Sequence, residues 1–150
     1  NQVHAKIGIG SLTSSYLGLR HSFNEAEFVL KNQGAVSKVA SIYQPEHLSA
    51  YLLSKPGAVL SCVAFQQLRE RLTPKIELKY DMRKTIKSLL DNNLNVSNAA
   101  KGLFIHRNTL VFRLSKLKDL TGLSPDQSFD HALICRLLLA EGLEEAGNEG

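Results

Sequence analysis

Cysteine is scarce in this chain of 150 residues, which has only two. Cys62 and Cys135 lie far apart in apolar stretches, a pattern typical of buried free thiols in a reducing cytoplasm. No zinc-ligand spacing is present, and the five histidines show no ligand-like pairing. The sequence therefore predicts neither a metal site nor a cofactor.

Long apolar runs are also lacking. No stretch approaches the length needed to span a bilayer, and we expect no signal peptide. We therefore expect a soluble, cytoplasmic protein with no membrane partner.

Acidic residues are absent from residues 101–118, where five lysines and arginines gather around His106. The net charge of +4 and the pI near 9.1 favour a polyanionic partner only weakly, because many soluble domains have similar values. Their distribution is more informative, since it collects positive charge in one segment. Acidic residues gather instead from Glu141 to Glu149, and we expect a disordered tail over 144–150.

Residues 95–118 have the pattern of a helix-turn-helix. Apolar or small side chains share one face of a first helix and form a seam along a second, at Val96, Ala99, Ala100 and Leu103, and at Leu110, Leu114 and Leu117. Only a tight turn over 103–106 separates the two helices, so they must cross steeply. This geometry presents the second helix outward.

The second helix, predicted over 107–118, opens with residues suited to reading DNA. In helix-turn-helix proteins this end enters the major groove, where arginine pairs with guanine and asparagine with adenine. We predict these roles for His106, Arg107 and Asn108, and phosphate contacts for Thr109 and Lys116. The other candidates are Val111, Phe112 and Arg113 on this helix, and Ser97 and Asn98, which would hold a phosphate through side chains and free backbone N–H groups.

Two alternatives stay open on the residues alone. The helices form a hairpin used only for packing, or the chain is a protein-interaction and dimerisation module of a signalling protein, in which Val111 and Phe112 meet another helix. Phe112 itself either contacts a thymine methyl group or packs on another part of the chain. Neither alternative explains Arg107 and Asn108 together at a helix start, so double-stranded DNA is the predicted partner.

The segment 89–123 contains strings that are more specific than a general helix-turn-helix pattern: Asp91-Asn-Asn, Asn95-Val-Ser, Leu103-Phe-Ile-His-Arg-Asn-Thr-Leu110 and Leu120-Thr-Gly-Leu123. It resembles the C-terminal domain of the sugar-diacid and purine-catabolism regulators, and the carbohydrate diacid regulator branch most. The resemblance implies a Fis-like helix-turn-helix fold in a bacterial activator of sugar-diacid (glucarate, galactarate or glycerate-type) catabolic genes. It also implies a small sugar-diacid effector, bound by an N-terminal domain that is not in this chain.

The N-terminal part resembles the last strand and helix of the degenerate GGDEF-like domain that precedes the DNA-binding domain in these regulators. The matching segments are Ile7-Gly-Ile-Gly-Ser11 and residues 19–27. No Gly-Gly-Asp/Glu-Glu-Phe signature occurs, so the metal and triphosphate of cyclase chemistry have no site, and we expect no enzymatic activity. Gly8 and Gly10 are expected to mark a tightly packed strand rather than a nucleotide loop.

The predicted fold is mainly α, with a small α+β remnant at the N-terminus. We expect a partial GGDEF-like segment over 1–54, a helical connector over 55–75, a DNA-binding domain over 76–143 and a tail over 144–150. Strands are predicted over 5–10 and 36–43, and the other helices over 17–30, 45–53, 59–72 (ended by Thr73-Pro74), 76–91 and 129–143, with Gly122 as a left-handed C-cap. Because two strands alone make a marginal sheet, we interpret the chain as part of a longer protein. Both faces of the last helix are rather apolar, which favours a homo-oligomer on paired half-sites.

Overall fold

The computed structural model describes residues 5–34, 38–78 and 81–140, and these ranges contain eight helices and two short strands. This confirms the mainly helical prediction. The chain divides into two compact units, residues 1–68 and 69–150. Among the described helices, none is long and apolar enough to cross a membrane.

The first unit is built around a pair of parallel strands that a helix connects. Its elements are β1 (Ile7–Ile9), α1 (Tyr16–Asn32), β2 (Val39–Ser41), α2 (Pro45–Ser54), α3 (Ala58–Ser61) and the start of α4 (Val63–Leu78), which continues into the second unit. In the sheet Ile7 lies opposite Val39 and Ile9 opposite Ser41. The Ser15 hydroxyl caps α1 by accepting a hydrogen bond from the Gly18 N–H at 2.9 Å.

Two glycines allow α1 to lie directly on β1. A Cβ atom at Gly8 would overlap the carbonyl oxygen of Ala26, and one at Gly10 would overlap that of Ser22. Both positions therefore need a residue without a side chain, which confirms the prediction of a tightly packed strand.

Glu25 is a fully buried carboxylate in the middle of α1. Its Oε2 accepts hydrogen bonds from the Ser11 N–H at 2.9 Å and from the Ser11 hydroxyl. Its Oε1 accepts from the Val63 N–H at 2.7 Å and from the Ala64 N–H at 3.5 Å. The carboxylate thus joins the loop after β1 to the first turn of α4, where the helix dipole favours negative charge.

The second unit contains the end of α4 and four further helices. These are α5 (Met82–Asp91), α6 (Val96–Gly102), α7 (Arg107–Thr121) and α8 (Phe129–Leu138). Its core consists of buried aliphatic side chains from every helix, with Ile76, Met82, Ile86, Leu89, Ala99, Ala100, Leu110, Leu114, Leu117, Leu123 and Ile134 among them. α5 contacts α6, α7 and α8, so it supports both helices of the helix-turn-helix.

The prediction of one helix over 59–72 that ends at Thr73-Pro74 is wrong in two respects. The extended backbone of Cys62 separates α3 from α4, and α4 runs through Pro74 to Leu78. Pro74 removes one helical hydrogen bond, but it is exposed, and the burial of Leu72 and Ile76 on either side of it stabilises the continuing helix.

The helix predicted over 76–91 is interrupted as well. α5 begins only after Asp81, whose φ of 49° lies in the left-handed region that ends a helix. Residues 79 and 80 of that prediction lie outside the described residues, as do residues 36 and 37 of the predicted strand over 36–43, the last three residues of the helix over 129–143, and the tail over 144–150.

Candidate DNA interface

α6 and the turn that follows it are defined by local hydrogen bonds. Asn95 caps α6, because its Oδ1 accepts from the Asn98 N–H at 3.0 Å. After Gly102 the chain reverses through Phe104, whose φ is 55°, and the Ile105 N–H donates to the Ala100 carbonyl at 3.1 Å. The reversal therefore occurs where the sequence predicted a tight turn.

α7 begins at Arg107, as predicted, and His106 is its N-cap residue. The Nδ1 atom of His106 accepts from the Asn108 N–H at 3.2 Å, which leaves the imidazole beside the helix start. The buried residues of α7 are Leu110, Leu114 and Leu117, so the predicted seam is confirmed. The helix continues past residue 118 to Thr121 and ends at Gly122, which has the predicted left-handed conformation, with a φ of 77°.

The start of α7 presents a continuous polar surface. His106, Arg107, Asn108 and Thr109 are all exposed. Two apolar side chains extend this surface along the helix, since Val111 is 44% exposed and Phe112 51% exposed. Hydrogen-bond donors and acceptors for base edges thus stand beside apolar groups of the kind that contact thymine methyl groups.

Lys116 and Arg113 are less exposed than the residues at the helix start. The Lys116 ammonium lies 5.6 Å from the centre of the Phe112 ring and 3.6 Å from an Asp119 carboxylate oxygen. Arg113 is half-buried, with one guanidinium nitrogen 3.5 Å from the hydroxyl oxygen of the buried Thr85 on α5. Arg113 therefore links α7 to α5, a role that its helical position alone did not indicate.

The four helices α5 to α8 coincide with a known domain. Residues 82–140, from the first residue of α5 to just beyond α8, match the PucR C-terminal helix-turn-helix domain. A domain of this kind implies a DNA-binding transcription regulator.

Curated relatives extend the similarity beyond this domain. The purine catabolism regulatory protein of Bacillus subtilis (strain 168) is 25% identical over 120 residues, which are 78% of this chain and 22% of that protein. The carbohydrate diacid regulator of Escherichia coli (strain K12) is 38% identical over 53 residues, 35% of this chain and 14% of that protein. An uncharacterized protein of Bacillus subtilis (strain 168) is 37% identical over 62 residues, 39% of this chain and 21% of that protein. No solved structure matches the chain significantly.

The resemblance noted in the sequence is thereby confirmed, because these matches are consistent with a C-terminal region of that regulator family. The chain spans about a fifth or less of the length of the curated relatives that it matches, from 14% to 22%. The matched family and the two named relatives are regulators rather than enzymes, as expected for this chain.

One expectation about the PucR-type domain needs correction. Ser97 and Asn98 are exposed at the start of α6, as a phosphate contact requires. The Asn98 N–H is not free, however, because the Asn95 side chain already accepts its hydrogen bond. The side chains of Ser97 and Asn98 are available for the predicted phosphate, but the backbone N–H of Asn98 is not.

The charge of the PucR-type domain is suited to a polyanion. Residues 92–118 contain no acidic residue, and Lys101, Arg107 and Lys118 are exposed. Asp119 is the first carboxylate after this segment, and it pairs with Lys116. Within the described ranges, no group of three or more His, Cys, Asp or Glu residues could hold a metal ion.

Sequence reasoning missed one feature of this surface. Phe104 stands in the turn before the recognition helix and is 97% exposed. Its position between two predicted helices indicated a turn, but neither its left-handed backbone nor its almost complete exposure follows from helical periodicity.

Proposed function

We propose that this chain binds double-stranded DNA by placing the start of α7 in the major groove, and that it thereby regulates the transcription of catabolic genes. The observation that carries the proposal is the exposed set His106, Arg107 and Asn108 at the first residues of a helix that follows a tight turn. The same end of the recognition helix approaches base edges in helix-turn-helix proteins.

The side chains have different roles in this proposal. Arg107 contacts guanine O6 and N7, and Asn108 contacts adenine N6 and N7. Thr109, Lys116 and the side chains of Ser97 and Asn98 contact phosphates, which fix the register of the protein on the duplex. Val111 and Phe112 contact thymine methyl groups. Arg113 orients α7 through Thr85, and its positive charge attracts the phosphate backbone of the DNA.

We also propose that the regulated genes encode the catabolism of sugar diacids and that the protein activates their transcription. The residue string around Arg107 resembles the carbohydrate diacid regulators, and the similarity to the Escherichia coli regulator of that name supports this branch. The effector is then a small sugar diacid that binds an N-terminal domain elsewhere in the regulator, and the protein acts in the cytoplasm, where its DNA is.

We further propose that residues 1–54 are part of a GGDEF-like segment, that residues 55–75 connect it to the DNA-binding domain, and that this domain extends over 76–143. The parallel pairing of β1 and β2 around α1 supports an α+β origin for the first segment.

The bound state is proposed to be a homo-oligomer on paired half-sites. Phe129 on α8 is 70% exposed beside a groove whose lining combines Leu94, Ala132 and Leu133 with the polar side chains of Asp91, Asn93 and Arg136, and this groove offers a surface to a second copy. Two copies would bind half-sites about one helical turn apart, or at multiples of that spacing. Protection of a single isolated half-site in footprinting would contradict this part of the proposal.

The alternative function is a protein-interaction or dimerisation module of a signalling protein. The exposure of Val111 and Phe112 favours it, because apolar side chains on a solvated helix are suited to meet another helix. Tight self-association that DNA does not change would support this alternative.

The test is a titration of the chain into labelled duplex from the region upstream of its own gene, at two salt concentrations. Arg107→Ala should lose about 1 to 3 kcal/mol of discrimination between sequences, whereas Lys116→Ala should weaken binding to all sequences and lower the salt dependence by about one counterion. Lys84→Ala, an exposed lysine on α5, is the matched control and should bind unchanged. Absence of binding by folded protein at low salt would overturn the proposal.

A further inference from the structure

Phe104 combines two features that each destabilise the free protein. Its ring is 97% exposed, so it contributes almost no apolar burial. Its φ of 55° lies in the left-handed region, which is unfavourable for a residue with a side chain. Neither cost is offset by packing at this position.

The backbone conformation at Phe104 follows from the turn itself. The Phe104 N–H donates to the Lys101 carbonyl at 3.0 Å, and the next N–H, of Ile105, donates to the Ala100 carbonyl at 3.1 Å. A turn of this shape is most easily formed by glycine or asparagine, which accept positive φ. The phenylalanine is therefore not explained by the turn, and strained residues of this kind are found at functional sites.

The position of Phe104 indicates what its ring meets. It stands two residues before His106, the N-cap of the helix that the proposed function places in the major groove. Lys101 and Arg107 are exposed on either side of it in sequence, and the nearest acidic residues along the chain are Asp91 and Asp119. A cationic surface without carboxylates favours a polyanion over an apolar protein surface as the partner.

We propose that Phe104 is a DNA-contact residue whose ring packs against an apolar part of a nucleotide, a deoxyribose or a thymine methyl group, beside the bases that α7 contacts. This inference rests on the proposed function. It adds to the interface a residue that supplies apolar contact from the turn, and it explains why a strained and exposed aromatic side chain stands there.

The experiment compares Phe104→Asn with the unsubstituted chain on one duplex, recovered from a randomised pool by the unsubstituted chain. Asparagine accepts the left-handed backbone, so the turn should form and the midpoint of thermal unfolding should be equal or higher. Affinity for the duplex should fall about tenfold, as expected when an aromatic contact to a nucleotide is lost. Phe23→Asn, at a phenylalanine on α1 that is 69% exposed, is the matched control and should retain the affinity of the unsubstituted chain.

A second duplex, with deoxyuridine in place of thymidine, separates the two sources of the contact. If the ring meets a methyl group, the loss of affinity on the deoxyuridine duplex should be smaller for Phe104→Asn than for the unsubstituted chain, because only the methyl contacts proposed for Val111 and Phe112 remain to be lost. If the ring meets a deoxyribose, the effect of Phe104→Asn is the same on both. Either result supports the proposal.

Three results would overturn it, and they differ from one another. If Arg107→Ala weakens binding but Phe104→Asn does not, the role of Phe104 is wrong while the proposed function stands. If the Phe104→Asn substitution changes the sedimentation of the free protein and not its affinity for the duplex, the ring serves a protein contact. If the randomised pool yields no duplex, both the proposed function and this inference fail.

Discussion

Replacing Glu25 by glutamine should destabilise the first unit, because glutamine cannot satisfy the donors that surround the carboxylate. The two carboxylate oxygens accept from backbone N–H groups on opposite sides, at Ser11 and at Val63. A glutamine side chain has one acceptor oxygen and one NH₂ group, so one of these N–H groups must face a donor.

The magnitude follows from this geometry. Loss of one hydrogen bond to a charged group costs about 1.5 to 3 kcal/mol, and the Glu25 side chain is fully buried, so water does not replace the lost acceptor. Loss of the negative charge at the start of α4 adds about 0.3 to 1 kcal/mol. The free energy of unfolding of the first unit should therefore fall by about 2 to 4 kcal/mol.

Hydrogen exchange followed by mass spectrometry measures this change in the full chain. The slowest amides of the first unit should exchange about 30 to 1,000 times faster in Glu25→Gln, since each 1.4 kcal/mol corresponds to a factor of ten. Glu27→Gln is the matched control, because Glu27 lies on the same helix but is exposed and pairs with Lys31 on the helix surface, at 2.9 Å. Its effect should stay within about 0.5 kcal/mol. Equal exchange rates in the two variants would refute the role assigned to Glu25.

Three further substitutions or reactions test the packing. Gly122→Ala should lower the free energy of unfolding, measured by thermal unfolding, by about 1 kcal/mol, because its φ of 77° is unfavourable for alanine. A Cβ atom at this position would meet no atom within 4 Å, so a loss above about 2 kcal/mol would contradict that open space. Gly10→Ala should lower the free energy of unfolding by more, about 3 kcal/mol, because its Cβ atom would overlap the carbonyl oxygen of Ser22. An effect no larger than that of Gly122→Ala would show that α1 does not lie on β1 as described. Burial raises the pKa of Cys62 and of Cys135 from 9.0 to about 12, so both should react with a thiol reagent at pH 8 only as fast as the protein unfolds, and reaction within seconds in native buffer would contradict their burial. Because these pKa values are raised in the folded state, the stability linked to the neutral thiols is present below about pH 9 and should be lost as the pH rises toward 12.

Much of the candidate site was predictable because its determinants are local. The start of α7 at Arg107, its buried seam and its C-cap at Gly122 depend on residues within one or two turns of each other. Helical periodicity and glycine at a left-handed position act over that distance, so a single sequence contains them.

Features that depend on distant contacts were missed. Pro74 indicates the end of a helix when only its neighbours in sequence are considered, but α4 continues because Leu72 and Ile76 are buried. Arg113 has the pattern of a helix-edge cation, but Thr85, 28 residues away in sequence, lies beside its guanidinium. In both cases the deciding feature, the burial of Leu72 and Ile76 or the contact of Arg113 with Thr85, exists only in the folded chain.

The sequence by itself determined the mainly helical character of this protein, the helix-turn-helix between residues 95 and 121, and the exposed basic and polar residues at the start of its second helix. These properties arise from side-chain spacing, capping residues and the local absence of carboxylates, all of which act over a few residues. Only the tertiary structure decided that Glu25 is a buried acceptor and that α4 passes through Pro74. It also decided that Phe104 is held exposed at a left-handed position in the turn, because each of these depends on which groups the folded backbone brings together or leaves apart.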